Sequence, residues 1–142
     1  MVNLKKCFGR GLAALLLFTV AGCRSAAERQ LSAAVDDYNR GCPTRMSELV
    51  RIDSLHYDRT VRDVAFYCTV NGLSNNTLYN SEAMTTVTNY CSSEAKRSFQ
   101  SLENNDYGRE TLMLVKRAGA TLSFIFFTES GDRLAKFSQS DF

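Results

Sequence analysis

The first 23 residues constrain this chain more than any other segment. Three basic residues precede an apolar run of twelve residues, Gly11 to Gly22, and Cys23 follows directly. A basic start, a short apolar middle and small residues before a cleavage point are typical of a secretory signal peptide. The run is too short for a transmembrane helix, which needs roughly 20 apolar residues. The sequence therefore predicts export, removal of residues 1–22, and a mature chain that begins at Cys23.

The last four residues of this segment, Val20-Ala21-Gly22-Cys23, resemble a bacterial lipobox. The resemblance implies diacylglycerol on the Cys23 thiol, cleavage before Cys23, and an acyl chain such as palmitate on the new amine. The alternative is an ordinary signal peptide in which the cysteine is a coincidence. On the lipoprotein interpretation, lipid on Cys23 attaches the protein to a membrane of the cell envelope.

The residues after Cys23 bear on which membrane holds the protein. In enteric-type bacteria, Asp at the next position retains a lipoprotein at the inner membrane, and in some Gram-negative species neighbouring acidic residues signal surface export. The segment Arg24-Ser25-Ala26-Ala27 contains neither signal. The resemblance therefore implies an outer-membrane protein that faces the periplasm if the cell is Gram-negative.

Charge and composition narrow the functional classes of the mature chain. Its 120 residues are enough for one domain. The leader holds three of the 17 basic residues and none of the 15 acidic ones, so the mature chain is near neutral and gives no electrostatic case for nucleic acid. A single histidine, no C-x-x-C pair and no Gly-rich phosphate loop give no basis for a metal or cofactor. We therefore expect no cofactor, no metal and no nucleic-acid partner.

Apolar residues at helical spacing mark three helices. The first begins near Ser25, where Ser25-Ala26-Ala27-Glu28 has the form of a capping box, and ends at Gly41. A second long helix begins near Ser81, and a short third helix covers about 109–117.

Four strands are predicted, at about 49–57, 60–70, 121–128 and 133–139. Alternation of buried and exposed positions is clear over 60–70 and poor over 49–57. The order is helix, hairpin, one or two helices, hairpin. This order predicts a single α+β domain over residues 23–142, with a four-stranded antiparallel sheet and helices over one face. A cystatin-like layout is one arrangement of such elements.

The mature chain also resembles small envelope lipoproteins of uncharacterised function. The residues that carry this resemblance are Asn39-Arg40-Gly41-Cys42-Pro43 at the end of the first helix, Cys91 in the second, and the hairpin from Ala120 to Phe137. The resemblance implies an envelope location and supplies no activity.

Three cysteines of the mature chain remain besides Cys23. Disulfides persist in an oxidising compartment, so one bridge and one free thiol are expected. Cys42 follows a turn and Cys91 lies on the apolar stripe of the second helix, which favours a Cys42–Cys91 bridge with Cys68 free and buried. Cys68–Cys91 is the main rival, because helix and sheet must face each other.

Ser54, His56 and Asp58 have the composition of a serine-hydrolase triad. Alternate residues on one strand face stand roughly 6.5–7 Å apart, whereas a triad needs heavy atoms at about 2.6–3.2 Å, gathered from separate elements. The chain also lacks a G-x-S-x-G elbow. We therefore predict no catalytic residues and expect that the protein is not an enzyme.

One sheet face is a candidate binding surface. If Phe124 faces the helices, then Ile125 and Phe127 point the other way, and Tyr67 can share that second face. A partly apolar outer face is typical of a protein-binding surface; the alternative is that a helix or loop covers it. The sequence thus predicts a lipid-anchored, non-enzymatic module of the cell envelope that either binds another protein or has a structural role. The alternatives are an inhibitor or immunity protein acting at the membrane, and a small-ligand pocket or hydrolase.

Overall fold

A five-stranded mixed sheet with three helices makes up a single α+β domain. The computed structural model describes residues 24–142, apart from the side chain of Asn75, so the predicted leader and Cys23 lie outside it. The strands, which lie side by side in chain order, are β1 (Thr44–Arg45), β2 (Val50–Asp58), β3 (Asp63–Val70), β4 (Thr121–Thr128) and β5 (Arg133–Ser138). The helices are α1 (24–40), α2 (Ser81–Asn104) and α3 (Asp106–Arg117), with short 3₁₀ helices at Asn75–Tyr79 and Gln139–Asp141.

The predicted four-stranded antiparallel sheet is wrong in strand number and in its central pairing. β3 and β4 run parallel, from Asp63 opposite Thr121 to Val70 opposite Thr128, whereas the other neighbours are antiparallel. Parallel neighbours need a long crossover connection, which α2 and α3 supply here. The sequence pattern shows each hairpin but not how the two hairpins join. The extra strand β1 has only two residues, too few to produce an alternating pattern.

All three helices pack on one face of the sheet, which confirms that part of the prediction. Phe66 and Phe124 stack on this face with ring centroids 4.7 Å apart. Tyr38 of α1 meets Phe66 at 5.5 Å, and Phe99 of α2 meets Phe124 at 5.0 Å, both edge to face. Val115 of α3 is buried in the same cluster. The aromatic pairs therefore join sheet and helices into one core.

Helix α1 lies on the sheet through residues spaced by four. The sequence predicts an apolar stripe of Ala27, Leu31, Ala34, Val35 and Tyr38. Ala27, Leu31 and Val35 are buried and Tyr38 is half-buried, whereas Ala34 is exposed. The helix already includes Arg24, one residue before the predicted start near Ser25. The first described residue is therefore already part of the fold.

Asn39, in the last turn of α1, closes the exposed edge of β2. Its side-chain nitrogen donates to the backbone oxygen of Leu55 at 2.8 Å, and its side-chain oxygen accepts from the backbone nitrogen of Leu55 at 2.7 Å. One amide thus makes the two hydrogen bonds that a neighbouring strand would make. We call this arrangement the Asn39 clamp.

Asparagine side chains begin both helices of the crossover. Asn80 accepts hydrogen bonds from the backbone nitrogens of the second and third residues of α2, each at 3.0 Å. Asn105 accepts from the backbone nitrogen of Gly108 at 2.6 Å and starts α3 at Asp106, three residues before the predicted start. N-caps of this kind satisfy backbone donors that have no partner within the helix.

Candidate functional site: the open face of the sheet

The sheet face opposite the helices carries the three residues that the sequence predicts as a binding surface. Tyr67 on β3 lies directly opposite Ile125 on β4, and Phe127 lies two residues further along β4. Alternation along each strand places them on the side away from Phe66 and Phe124. We call this side the open face, because the helices 24–40, Ser81–Asn104 and Asp106–Arg117 all lie on the other side.

Three aromatic rings cross the open face in a row. His56 on β2 lies 4.3 Å from Tyr67, and Tyr67 lies 5.4 Å from Phe127, measured between ring centroids. We call these three rings the aromatic row. His56 is exposed, whereas Tyr67 and Phe127 are half-buried and Ile125 is only 8% exposed. Sequence reasoning missed His56 as a member, because it treated that strand end as polar.

A buried carboxylate lies toward the end of the open face where β3 and β4 begin. Asp63 accepts hydrogen bonds from the hydroxyls of Ser123, at 3.0 and 2.9 Å, and Thr121, at 3.1 Å, and forms an ion pair with Lys136. A buried charge is tolerated only with such partners. The cluster links β3, β4 and β5. Because Ser123 is fully buried, its hydroxyl is inaccessible to a substrate.

A second acidic residue, Asp53, lies toward the opposite end of the open face. The pairing of β2 with β3 shifts register between Ile52 and Ser54, which leaves Asp53 as the extra residue of a bulge. Its carboxylate accepts from the hydroxyl of Thr69 and forms an ion pair with Arg51, each at 2.5 Å. The aromatic row therefore lies between two polar clusters.

Ser54 and His56 approach more closely than the strand spacing predicts. Ser54 Oγ lies 2.9 Å from His56 Nε2, because the two side chains lean toward each other on one strand face. The expected wide separation is therefore wrong for this pair. The carboxylate of Asp58 is engaged in the β2–β3 turn, where it accepts hydrogen bonds from the backbone nitrogens of Thr60 and Val61, at 2.8 and 3.2 Å. The described residues thus form a Ser–His pair without the third group that orients the imidazole of a triad.

The three described cysteines are free thiols. The predicted Cys42–Cys91 bridge and its rival Cys68–Cys91 are not formed in the structure. Cys42 is half-buried and its sulfur lies 3.8 Å from the carbonyl oxygen of Tyr38, whereas Cys68 and Cys91 have no exposed surface. Burial raises the pKa of both Cys68 and Cys91 to about 12. Thiols of that kind hold their protons at neutral pH and are poor nucleophiles.

Neither a metal cluster nor a spanning helix is found in the part of the chain that the structure describes. No three His, Cys, Asp or Glu side chains within residues 24–142 come together in a way that could hold a metal ion. Among the same residues, no helix is both long enough and apolar enough to cross a membrane.

A family model described as "Domain of unknown function (DUF8479)" matches residues 25–135 of the chain. No curated protein matches the chain. A crystal structure described as a secreted protein of Pseudomonas aeruginosa aligns with a TM-score of 0.54 and 14% identity, covering 81% of this chain and 91% of that one. A pilotin from the type 2 secretion system of Vibrio vulnificus aligns with a TM-score of 0.48 and 11% identity, covering 83% and 91%. At these identities the first likeness concerns the fold alone.

Proposed function

The chain belongs to the DUF8479 family of domains of unknown function, and we propose that this member is a lipid-anchored bacterial envelope protein that binds another envelope protein. The proposed binding surface is the open face of the sheet, centred on the aromatic row. The proposed role is non-enzymatic.

The observation that carries the proposal is the aromatic row itself. Half-buried rings in the middle of a sheet face, bounded by ion pairs and hydroxyls, have the layout of an interface with an apolar centre and a polar rim. Aromatic side chains are also enriched among the residues that contribute most to binding between proteins. Tyr67 and Phe127 still expose part of their rings, so a partner can bury additional apolar surface there.

The polar groups near the aromatic row support binding rather than catalysis. Asp63 is occupied by Ser123, Thr121 and Lys136, and the Ser54–His56 pair has no orienting carboxylate among the described residues. The buried thiols of Cys68 and Cys91 are kept protonated by their surroundings. The described residues therefore offer no complete triad, and this supports a binding role for the open face.

The lipobox resemblance supports the anchored location. Lipid on Cys23 would be followed directly by Arg24, which already belongs to α1. The domain would then begin at the membrane without a flexible tether. An outer-membrane attachment that faces the periplasm is the proposed location in a Gram-negative cell.

The proposal is tested by co-purification from intact envelopes after chemical crosslinking. We expect Phe127→Ser and Tyr67→Ser each to weaken binding about thirtyfold or more and to reduce partner recovery accordingly, because truncating a central interface aromatic costs on the order of 2 kcal/mol or more. The matched control is Tyr79→Ser, which removes a ring that is 89% exposed in the 3₁₀ helix after β3.

Circular dichroism of each variant establishes that the fold persists. If the folded Phe127→Ser and Tyr67→Ser variants recover the same partners in the same amounts as the Tyr79→Ser control, the open face is not the binding surface. That outcome would remove the proposed role of the aromatic row.

A further inference from the structure

One end of the domain gathers basic side chains from three separate parts of the chain. They share a position at the end of the sheet where β3 and β4 begin. Arg59 and Arg62 lie in the β2–β3 turn, Lys116 and Arg117 end α3 immediately before β4, and Arg24 begins α1. We call these five residues, together with Val61, the basic end.

Contacts between these segments place them on one continuous surface. The backbone oxygen of Arg62 accepts a hydrogen bond from the backbone nitrogen of Thr121 at 2.8 Å, which joins the β2–β3 turn to the start of β4. Gly119 lies against Arg24 so closely that an added Cβ would be 2.7 Å from a guanidinium nitrogen. α1 therefore begins beside the turn that leads from α3 into β4.

The charges that act on the Tyr57 hydroxyl come from both the β2–β3 turn and the start of α1. Burial is the main reason that the pKa of Tyr57 is raised, and the charge of Glu28 adds to it, while the positive charges of Arg59 and Arg24 act to lower it. Arg59 also donates to the Ser32 hydroxyl of α1 at 2.9 Å. The β2–β3 turn and the first helix are therefore adjacent at the basic end.

Val61 stands at the tip of this surface and is 68% exposed. The carboxylate of Asp58 binds the backbone nitrogens of Thr60 and Val61 and shapes the turn. Three acidic residues adjoin the basic end: Asp58, Glu28, which pairs with Arg24 at 3.7 Å, and Asp63, which pairs with Lys136 of β5. With Asp63 balanced by Lys136, five Lys and Arg side chains stand against two carboxylates. Positive charge is left in excess around an exposed apolar side chain.

A second apolar feature opens next to the basic end. A cleft of about 550 Å³ between the last turns of α3 and the start of β4 has Leu112, Ala120 and Leu122 in its lining, with Lys116 beside them. Its other side is polar and is formed by residues 138–140. Met113 also lines it and is 59% exposed. Apolar side chains interleaved with Lys and Arg are typical of surfaces that lie in the headgroup region of a membrane.

We infer that the basic end docks on the anionic lipid headgroups of the membrane, with Val61 entering the interface. The inference rests on the proposed lipid anchor, because acyl chains on Cys23 would enter the bilayer immediately before Arg24. Each Lys or Arg near an anionic surface strengthens attachment by roughly fivefold. The strands would then stand away from the membrane, and the open face would be presented sideways to partners.

The chain contains no tryptophan, so a single introduced indole can report contact with lipid. We would purify the processed Val61→Trp variant from envelopes and place it in vesicles of phosphatidylcholine and phosphatidylglycerol with bromine-labelled acyl chains. We expect quenching of the tryptophan fluorescence and a blue shift. The matched control, Tyr79→Trp at the other end of the sheet, should keep most of its fluorescence.

Charge reversal tests the electrostatic part of the inference. We would introduce Arg59→Glu and Arg62→Glu together in the Val61→Trp background. Because each Lys or Arg near an anionic surface strengthens attachment by about fivefold, losing two of them should reduce the fraction of quenched protein at least tenfold at low salt. The control, Arg133→Glu at the opposite end of β4 and β5, should have little effect. Equal fluorescence in anionic vesicles and in buffer for the Val61→Trp variant would overturn the inference.

The mass of the Cys23 peptide in the same sample separates this inference from the proposed anchor. If Cys23 carries lipid and the indole is not quenched, the basic end does not dock on the membrane, whereas the proposed lipid anchor is correct. If Cys23 carries no lipid, the protein is added to preformed vesicles, and quenching again decides for or against the basic end. Partner recovery with Phe127→Ser is a separate measurement and is unaffected by either result.

Discussion

Asn39 contributes to the sheet although it lies in a helix. Its amide satisfies both backbone groups of Leu55, at 2.7 and 2.8 Å, on a strand edge where no further strand pairs. A half-buried backbone donor and acceptor left without partners carry a free-energy cost. The clamp therefore stabilises the native state and also fixes the position of α1 along β2.

Replacement of Asn39 by Ala should lower the free energy of unfolding by about 1–3 kcal/mol, because two backbone groups lose their partner. Urea unfolding followed by circular dichroism measures the change. The matched control is Asn89→Ala on the exposed surface of α2, which should stay within about 0.5 kcal/mol of the parent. A loss no greater than that of the control would mean that the clamp contributes nothing to stability.

At the scale of elements, the close approach of α2 and α3 depends on one glycine. Gly108 lies in the first turn of α3, and an added Cβ would be only 2.2 Å from the backbone oxygen of Leu102. Because backbone atoms of a helix cannot move aside cheaply, the crossing of the two helices requires a residue without a side chain at this position.

Gly108→Ala should therefore destabilise the domain by about 1–3 kcal/mol from overpacking, even though Ala favours a helix by nearly 1 kcal/mol relative to Gly. Thermal unfolding of the variant measures this. Thr111→Ala, whose hydroxyl bonds only the Tyr107 carbonyl of the same helix, is the control and should be neutral or slightly stabilising. If Gly108→Ala were as stable as Thr111→Ala, the helices would have room to separate.

The position of β4 could be predicted from the sequence, whereas its pairing partner could not. β4 over Thr121–Thr128 matches the predicted strand residue for residue, because a short run of aromatic and β-branched residues between two turn segments is typical of a strand. The parallel pairing of β3 with β4 was not predictable, because it depends on where a crossover of two helices returns the chain.

The same contrast applies to the candidate site. The shared face of Tyr67 and Phe127 follows from period-two alternation. The contribution of His56 depends on how β2 aligns with β3, and a bulge at Asp53 sets that alignment. The bulge shifts the alternation of β2 by one residue, from Val50 and Ile52 to Leu55 and Tyr57. A broken pattern of that kind does not say which residue is the extra one, so the aromatic row could not be read from the sequence.

At the scale of the whole molecule, two thiols link global stability to alkaline pH. The pKa of Cys68 and Cys91 is raised from about 9 to about 12 in the folded state by burial. Below pH 9 both thiols are protonated in the folded state and in the unfolded state. Between pH 9 and 12 the unfolded state loses them first, so stability decreases as the pH rises, by about 1.4 kcal/mol per pH unit for each thiol.

We expect urea midpoints of the reduced protein to fall more steeply above pH 9 than those of the double variant Cys68→Ala with Cys91→Ala. The variant is less stable at neutral pH, so the slope with pH and not the absolute value is the test. Cys42→Ser, which leaves the buried pair intact, is the control and should change the slope less than the double variant does, although burial also raises the pKa of the Cys42 thiol. Identical slopes for parent and double variant would show that neither thiol is coupled to unfolding.

Thiol counting on protein taken from the envelope addresses the predicted disulfide. The structure implies that a thiol reagent modifies Cys42 in the native state and modifies Cys68 and Cys91 only after unfolding. When the protein is unfolded without a reducing agent, Cys42, Cys68 and Cys91 should all react, and Cys23 is not included in this count. A single reactive thiol would instead establish a bridge.

The Asn39 clamp also restricts how other chains can join this sheet. An incoming polypeptide that extends a sheet must bond to free amides and carbonyls along its border, and at Leu55 the clamp already occupies both. Extension into a fibre, or capture of an extended peptide, is therefore blocked at the middle of β2 and left to the β5 border and to the two-residue outer edge of β1. A partner that approaches from the β2 side must recognise the protein by its projecting rings and charges, which makes the shape of that surface, rather than backbone complementarity, the basis of selectivity.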